Sequence, residues 1–550
     1  MKKIVLIAAL ACTVIGCNED KWLEEKPYSF YSPSNSFNNE QDFESAITYM
    51  YAQVNDLYSV ATMEGRALHY PSDLAYSAIA ANHDLNQYQD KLTPQASETV
   101  NLWRKFYQII YNSNVIIARL ESPVLKIPAD YKLRAQAEAR FFRAFAYRYL
   151  TGFYGDVPII LDEISTVKRD FARAPKADVL QLCVSDLTFA KDNLFEITEI
   201  KKEGRISKAV ASHLLSEIYI AQKDWPKAIV AATEVINNPN FNLMTTRFGS
   251  KKNEAGDVYF DLFQRNNQNR SAGNREGLWV DQYEYQKPGG GSSHTLVAWG
   301  VNPFYSQLQG DDGKPLFVGP TVEFGGRPIG WYSTTDYMKD LIWKDNYWDD
   351  MRNSPYNIMR DIKASNPQSA YYGKGIVEFN AIQKFNNTLN RWWRIFYTKY
   401  VPINDVPNEF IIDAENGVVN SGAAASFTDS YIFRLAETYL LRAEAYVGNN
   451  EPQKATEDIN KLRTRAQAKY LVSAQDVSLN LILDERAREL FWEESRVFTL
   501  LRMGKLVERV KTFNPVTGNN IGEYQNLWPI PDREIETNTE VVLTQNPGYH

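Results

Sequence analysis

Hydrophobic positions recur with a period near 3.6 over two long stretches, 40–238 and 429–510, and lose that period in between. The i, i+3, i+4 stripe of an amphipathic helix predicts helices over 41–58, 100–120, 131–154 and 481–509. In the second of these, Trp103, Phe106, Tyr107 and Ile110 mark the buried side. A further stripe, Val179, Cys183, Leu187, Ala190 and Leu194, predicts a helix that places Cys183 in the core as a small hydrophobe. From 240 to 428 the chain is rich in Gly, Asn, Pro and aromatics, with Gly325 to Asp350 as the clearest example. A run of that length without regular structure is functional or disordered. Its aromatic content argues against disorder, so it reads as an irregular but folded insert.

One pattern occurs twice. Leu214, Tyr219 and Ala228 are separated by five and nine residues, and Leu441, Tyr446 and Ala455 repeat those spacings; Lys227 and Lys454 each precede the alanine. Tyrosine on one helix and a small residue nine positions later let two antiparallel helices approach closely, as tetratricopeptide units require. The expected fold class is therefore all-α dominated: a tetratricopeptide-like scaffold of helical hairpins with a large irregular insert of loops and short strands. The expected organisation is a signal peptide (1–16), a lipid-anchored tether (17–39), helical parts at 40–239 and 429–550, the latter with the C-terminal tail, and a ligand-binding insert at 240–428. All of these but the first two form one compact body.

The N-terminal MKKIVLIAALACTVIGC sets Lys2 and Lys3 before an apolar run from Ile4 to Ile15. The run is too short for a bilayer span, which takes about 20 residues, and fits a secretory signal. Val14-Ile15-Gly16-Cys17 fits a bacterial lipobox: Gly16 is small enough for cleavage before Cys17, whose thiol then carries a diacylglycerol. Acyl chains at one residue, at about 0.8 kcal/mol per buried CH2, anchor a protein stably. A membrane-tethered body is expected.

Composition narrows the function. With 60 Lys+Arg against 67 Asp+Glu the net charge is −7, and the pI is near 5.6. The electrostatic footprint of a nucleic-acid binder is missing. Three cysteines, two of them Cys12 and Cys17, exclude a disulfide framework. Five scattered histidines (His69, His83, His213, His294, His550) without HExxH or CxxC spacing supply no local zinc site. Gly310-Asp311-Asp312-Gly313-Lys314-Pro315 has the wrong spacing for a phosphate loop and reads as a turn. Gly289-Gly290-Gly291-Ser292-Ser293-His294 lacks the glycine of a nucleophile elbow. Asp311, Asp312, Asp349 and Asp350 would be the carboxylates of a glycosidase, but beside Gly and Asn they read as solvated turn residues or a calcium loop. No catalytic residue, metal ligand or cofactor is expected.

Aromatics make up 13% of the chain, with 33 Tyr and 12 Trp, enough for flat recognition surfaces. A sugar ring offers an apolar C–H face and a fringe of hydroxyls, so its binder needs Trp or Tyr planes beside polar groups. Two segments have that composition. One holds Tyr70, Asp73, Asn82, His83, Asp84 and Tyr88; the other, in the insert, holds Trp279, Tyr283, Tyr285, Trp299, Trp331 and Tyr332. Trp392-Trp393 would form a third platform.

Several strings stand out together: Leu102-Trp103 with Tyr107, Ile110 and Asn114; Glu138-Ala139-Arg140-Phe141 with Arg143-Ala144 and Tyr147; and Tyr154-Gly155-Asp156-Val157-Pro158. They continue with Asp186-Leu187 and Ala190, Gly204-Arg205-Ile206-Ser207-Lys208, Arg434-Leu435-Ala436-Glu437 with Ala443-Glu444-Ala445, and Arg463 with Arg465-Ala466. Glu485-Arg486, Glu489-Leu490, Glu494, Arg496, Pro529-Ile530-Pro531 and Gln545-Asn546-Pro547-Gly548-Tyr549 complete the series. In this order, behind a lipobox, the chain resembles the SusD/RagB family of nutrient-binding outer-membrane lipoproteins. Both helical stretches, the anchor and the C-terminus share the resemblance; the insert and the loop near 60–95 do not. At Arg502-Met503-Gly504 the chain departs from the Trp that family members often carry before the glycine.

The resemblance implies a helical scaffold that packs as a lid on a SusC-like TonB-dependent outer-membrane channel and binds an oligosaccharide or other nutrient. SusD-like ligand faces are built from the same two regions as the aromatic segments above. The Arg–Glu pairs and the Tyr-Gly-Asp-Val-Pro turn would fix helix packing and chain exit. Glu19 and Asp20 after Cys17 resemble the surface-export signal of Bacteroidetes lipoproteins, which implies the extracellular face of the outer membrane. Two other functions compete: a protein-interaction scaffold, the common use of tetratricopeptide arrays, and a surface glycosidase.

Overall fold

The computed structural model describes residues 36–59, 61–290, 296–383 and 387–549. The signal peptide, Cys17 and nearly all of the expected tether lie outside the described residues. Helix α1 (Glu40–Asn55) starts where the Asn39 side chain accepts the Asp42 amide, and the Phe37 ring packs on Phe43 just inside. After the short α2 (Met63–His69), α3 (Ser97–Leu120) and α4 (Ala129–Tyr154) form an antiparallel pair. From Phe141 to Tyr154 every residue of α4 is buried, so this is the central helix, and Gly155 at φ +74 ends it.

Two buried ion pairs fix the next helices on α4. Arg143 reaches Asp186 of α5 (Lys176–Asn193) through Nε and Nη2, both at 2.8 Å, and Arg148 reaches Glu217 of α6 (Lys208–Ala221) at 2.6 and 3.1 Å. Forked geometry of this kind sets orientation as well as contact. Cys183 is fully buried, as its stripe requires.

The two repeat units are helical hairpins stacked on each other. One is α6 with α7 (Trp225–Ile236); the other is α8 (Leu435–Gly448) with α9 (Pro452–Arg465). Their equivalent positions behave alike. Lys227 lies 5.6 Å from the Tyr219 ring and Lys454 lies 5.5 Å from the Tyr446 ring, while Lys223 and Asn450 both take positive φ in the inter-helix turn. Ile220 and Ala228 of the first unit pack on Leu441 and Ala445 of the second. Gly448 allows this approach, because a Cβ there would stand 2.5 Å from the Trp225 ring.

The helix expected over 481–509 is divided into α10 (Leu479–Leu490), α11 (Arg496–Arg502) and α12 (Leu506–Phe513). Trp492 at φ +62 and Gly504 at φ +64 break it. The first break turns Glu493 toward Lys399 and Arg434 and lets Glu494 bridge Arg486 and Arg496. An uninterrupted helix would leave those buried cations with fewer carboxylate partners.

The insert is built from short helical turns and four two-stranded antiparallel sheets among the described residues. β1 (Ala75–Ser77) pairs with β3 (Tyr332–Thr334), β2 (Gly277–Asp281) with β8 (Ser430–Arg434), β4 (Ile358–Met359) with β5 (Phe396–Tyr397), and β6 (Ile411–Asp413) with β7 (Val418–Val419). Buried charges tie the insert to the C-terminal helices. Arg352 meets Asp350, Glu485 and Glu489, and Arg434 meets Glu276, Glu489 and Glu493. No described helix is long and apolar enough to cross a membrane.

Candidate ligand-binding face

β1 and β3 pair in the register Ala75–Thr334, Tyr76–Ser333, Ser77–Tyr332. One residue further, the Ala78 amide donates to the Trp331 carbonyl at 2.7 Å, which brings Trp331 out at the end of the strand pair, partly exposed. Trp299 comes from a wide π-turn, Leu296–Val301, closed by the Asn302 amide on the Val297 carbonyl at 3.0 Å. Such turns occur often at functional positions. The Asn302 side chain clasps Tyr397 by donating to its carbonyl and accepting its amide, both at 2.8 Å, so the turn is held rigidly. The two indoles meet at 4.9 Å between centroids and 33° between planes. The Trp299 indole N–H is buried without an acceptor among the described residues, leaving an open donor at the pair.

Polar groups surround the pair. The Arg66 guanidinium of α2 lies 5.7 Å from the Trp331 ring. His83 contacts Ser77 through Nδ1 at 3.2 Å, and the neighbouring Asn82 is exposed. Asn390 donates to the Tyr76 hydroxyl at 2.9 Å, and the Arg391 Nε donates to the Ile329 carbonyl at 3.2 Å. Gly330, at φ +55, sits so close to the Arg391 carbonyl that no Cβ fits there, which is what brings the 390–392 segment against Trp331.

The structure therefore brings together Trp299 and Trp331, with His83 held on Ser77 at the same end of the β1–β3 pair. It withdraws most of the other expected residues from solvent. Tyr70 and Tyr332 stack on each other at 3.5 Å, with Trp492 tilted against Tyr70. Trp279 is 2% exposed and packs among Phe141, Phe142, Phe145 and Phe433 of the core. Tyr88 donates to the Pro71 carbonyl, Tyr283 donates to Asp281, and Asp73 is held by Arg496 and Arg509. Tyr70, Tyr332, Trp279 and Asp73 share a reason: each has buried partners far away in sequence. Tyr285 is partly exposed, but it belongs to a separate cluster with Glu409, Phe410 and Phe427. The side chain of Asp84 lies outside the described residues. Of the third platform, Trp393 is buried and Trp392 partly exposed, its amide on Asn387.

Arg66, Asn390 and Arg391 did not stand out in the sequence. No pattern marks them, because they reach the face through a helix and a turn from different parts of the chain. Each carboxylate considered for hydrolysis is engaged locally: Asp311 by the Tyr371 hydroxyl, Asp312 by Ser369 and the Ala370 amide, Asp349 by Lys469, Asp350 by Arg352. A groove of about 870 Å³ is formed by other residues, among them Trp103, Tyr107, Tyr111, Pro158, Phe171 and Arg533.

Comparison with known proteins gives the frame for this face. The SusD family model matches residues 258–549. The chain belongs to the SusD family. A second model, described as starch-binding and associating with the outer membrane, matches residues 21–220. SusD-like protein P25 of Formosa agariphila is 24% identical over 576 aligned positions, covering 100% of this chain and 99% of the relative. Starch-binding protein SusD of Bacteroides thetaiotaomicron is 37% identical over 126 residues, 22% of either chain. A laminarin-binding SusD-like protein of known structure superposes with a TM-score of 0.66 at 20% identity, covering 93% of this chain and all of the other. The helical scaffold with its irregular insert is thus the SusD fold.

Proposed function

We propose that this SusD-family protein is a surface-exposed outer-membrane lipoprotein that holds a glycan or similar nutrient on the Trp299–Trp331 face and delivers it to a SusC-like TonB-dependent channel. The observation that carries the reading is the paired, partly exposed indoles on rigid supports, with Arg66 over Trp331 and Arg391 bonded to the nearby Ile329 carbonyl. Flat apolar planes beside fixed hydrogen-bond donors suit the two chemical sides of a sugar ring. Starch and laminarin binding by family members, and the lipobox ending at Cys17, support the same role. In this reading the ligand leaves as it arrived, with no bond broken.

Isothermal titration of the mature chain against glycans and peptides tests it. Trp299→Ala and Trp331→Ala should each weaken glycan binding by roughly tenfold, about 1.4 kcal/mol, with unchanged helicity. Tyr111→Ala, in the separate groove, should leave it unchanged. If both Trp variants bind as the parent does, the face is misassigned. If no ligand binds at millimolar concentration while the channel still does, the protein is a scaffold. Release of shortened sugars would make it a glycosidase.

A further inference from the structure

The charged side chains that contacts among the described residues place near the indole pair are arginines. Arg66 lies against Trp331, and Arg391 packs its backbone on Gly330, the residue before it. Arg327 stands 5.0 Å over the Phe304 ring, and the Phe304 amide donates to the Arg391 carbonyl at 3.0 Å. Arg327 thus lies over the Phe304 ring, and the Phe304 and Arg391 backbones meet beside Gly330. Neither guanidinium is within ion-pair distance of a carboxylate among the described residues.

Core arginines of this protein behave differently. Arg143, Arg148, Arg352 and Arg496 each meet a carboxylate at hydrogen-bond distance. Arg173, which meets none among the described residues, directs Nε, Nη1 and Nη2 onto the Asp156, Thr544 and Tyr154 carbonyls. Among the described residues, Arg391 has only its Nε bond to Ile329. Burial pushes its guanidinium below the usual value with no anion to offset the effect. A partly desolvated cation with open donors is the ordinary recognition element for a planar oxyanion. A chain of net charge −7 repels anions at long range, so arginines kept clear of carboxylates at one face mark a local requirement.

We propose that the ligand of the Trp299–Trp331 face is an acidic glycan whose carboxylate or sulfate groups pair with Arg391 and Arg327 while its rings lie on the indoles. This rests on the capture function above and narrows its ligand class.

The test titrates the full mature chain, in detergent, with three probes: oligogalacturonate for carboxylates, a sulfated galactan oligosaccharide for sulfate esters, and neutral laminari- and malto-oligosaccharides. One acidic probe should bind at least tenfold tighter than any neutral one, and which of the two does so identifies the anion. Raising NaCl from about 50 to 500 mM should weaken that binding severalfold while sparing any neutral ligand. Arg391→Gln and Arg327→Gln should each weaken the acidic ligand by about tenfold, with Arg391→Lys recovering part. The salt series needs no variant, so it stands even if a substitution disturbs folding. A neutral oligosaccharide bound more tightly than either acidic one, or binding indifferent to salt and to both Gln variants, overturns the acidic assignment and leaves glycan capture intact. Binding to none of the probes or panel glycans overturns both.

Discussion

Asp73 separates a ligand residue from an architectural one. Its composition context suggested sugar contact, yet its carboxylate is fully buried between two guanidiniums, with Oδ1 2.9 Å from Arg496 Nε and Oδ2 at 2.7 and 2.9 Å from Arg496 Nη2 and Arg509 Nε. Its backbone carbonyl accepts the Thr335 hydroxyl at 2.8 Å, so the same residue fastens the β1–β3 strand pair beside Trp331. Asp73→Asn keeps the shape and removes the charge. That leaves two buried cations short of a partner, a change that typically costs about 3–5 kcal/mol, a large part of the roughly 5–15 kcal/mol that holds a protein folded. Urea unfolding followed by tryptophan fluorescence should show the unfolding free energy falling by that amount, read as a lower midpoint at unchanged slope. Burial alone would raise the Asp73 carboxyl, but Arg496 and Arg509 outweigh it and hold it below its ordinary 3.8. Its contribution is therefore complete at neutral pH and disappears as pH falls through the depressed folded value. Parent and variant should converge in stability only well below pH 3.8. A loss under about 1 kcal/mol at pH 7, or a variant that keeps stability and loses glycan affinity, would refute the architectural reading.

Gly448→Ala puts a methyl 2.5 Å from the Trp225 ring and should lower stability by about 1–3 kcal/mol; a melting temperature equal to the parent's would show that the repeat interface yields easily. Cys183 is fully buried and its thiol is pushed far above its usual range, by burial first and Asp186 next. A thiol reagent should therefore label the mature folded chain at this position only after denaturation, and rapid labelling of the native protein would contradict the core placement.

Helices were the legible part of this fold because periodicity reports burial, and burial of helices is decided mostly by neighbours along the chain. The expected 100–120 and 131–154 helices coincide with α3 and α4 to within three residues at either end. The break after Leu490 was not legible. Its cause is the backbone of Trp492 and the demand of Arg434 for Glu493, 59 residues away. The repeat was legible for the opposite reason: the tyrosine and lysine that help identify it meet inside one hairpin.

The site was legible only as a composition. Trp279 and Trp331 look alike in sequence, but Trp279 lies inside β2, which is paired with β8 and buried on every residue, and packs on α4, whereas Trp331 lies one position outside β3 where the pairing ends. An aromatic ring cannot show in sequence which of its faces another ring will cover: Tyr70 and Tyr332, drawn from the two separate candidate segments, cover each other. What selects the exposed pair is backbone geometry at Gly330 and Asn302, residues with no recognition chemistry of their own. Those supports place Arg391 against the platform at the same time. The stacking surface and the cation beside it are thus fixed by one set of contacts, so a change at Gly330 would disturb ring stacking and anion pairing together, while changes at Trp331 or Arg391 alone would separate them.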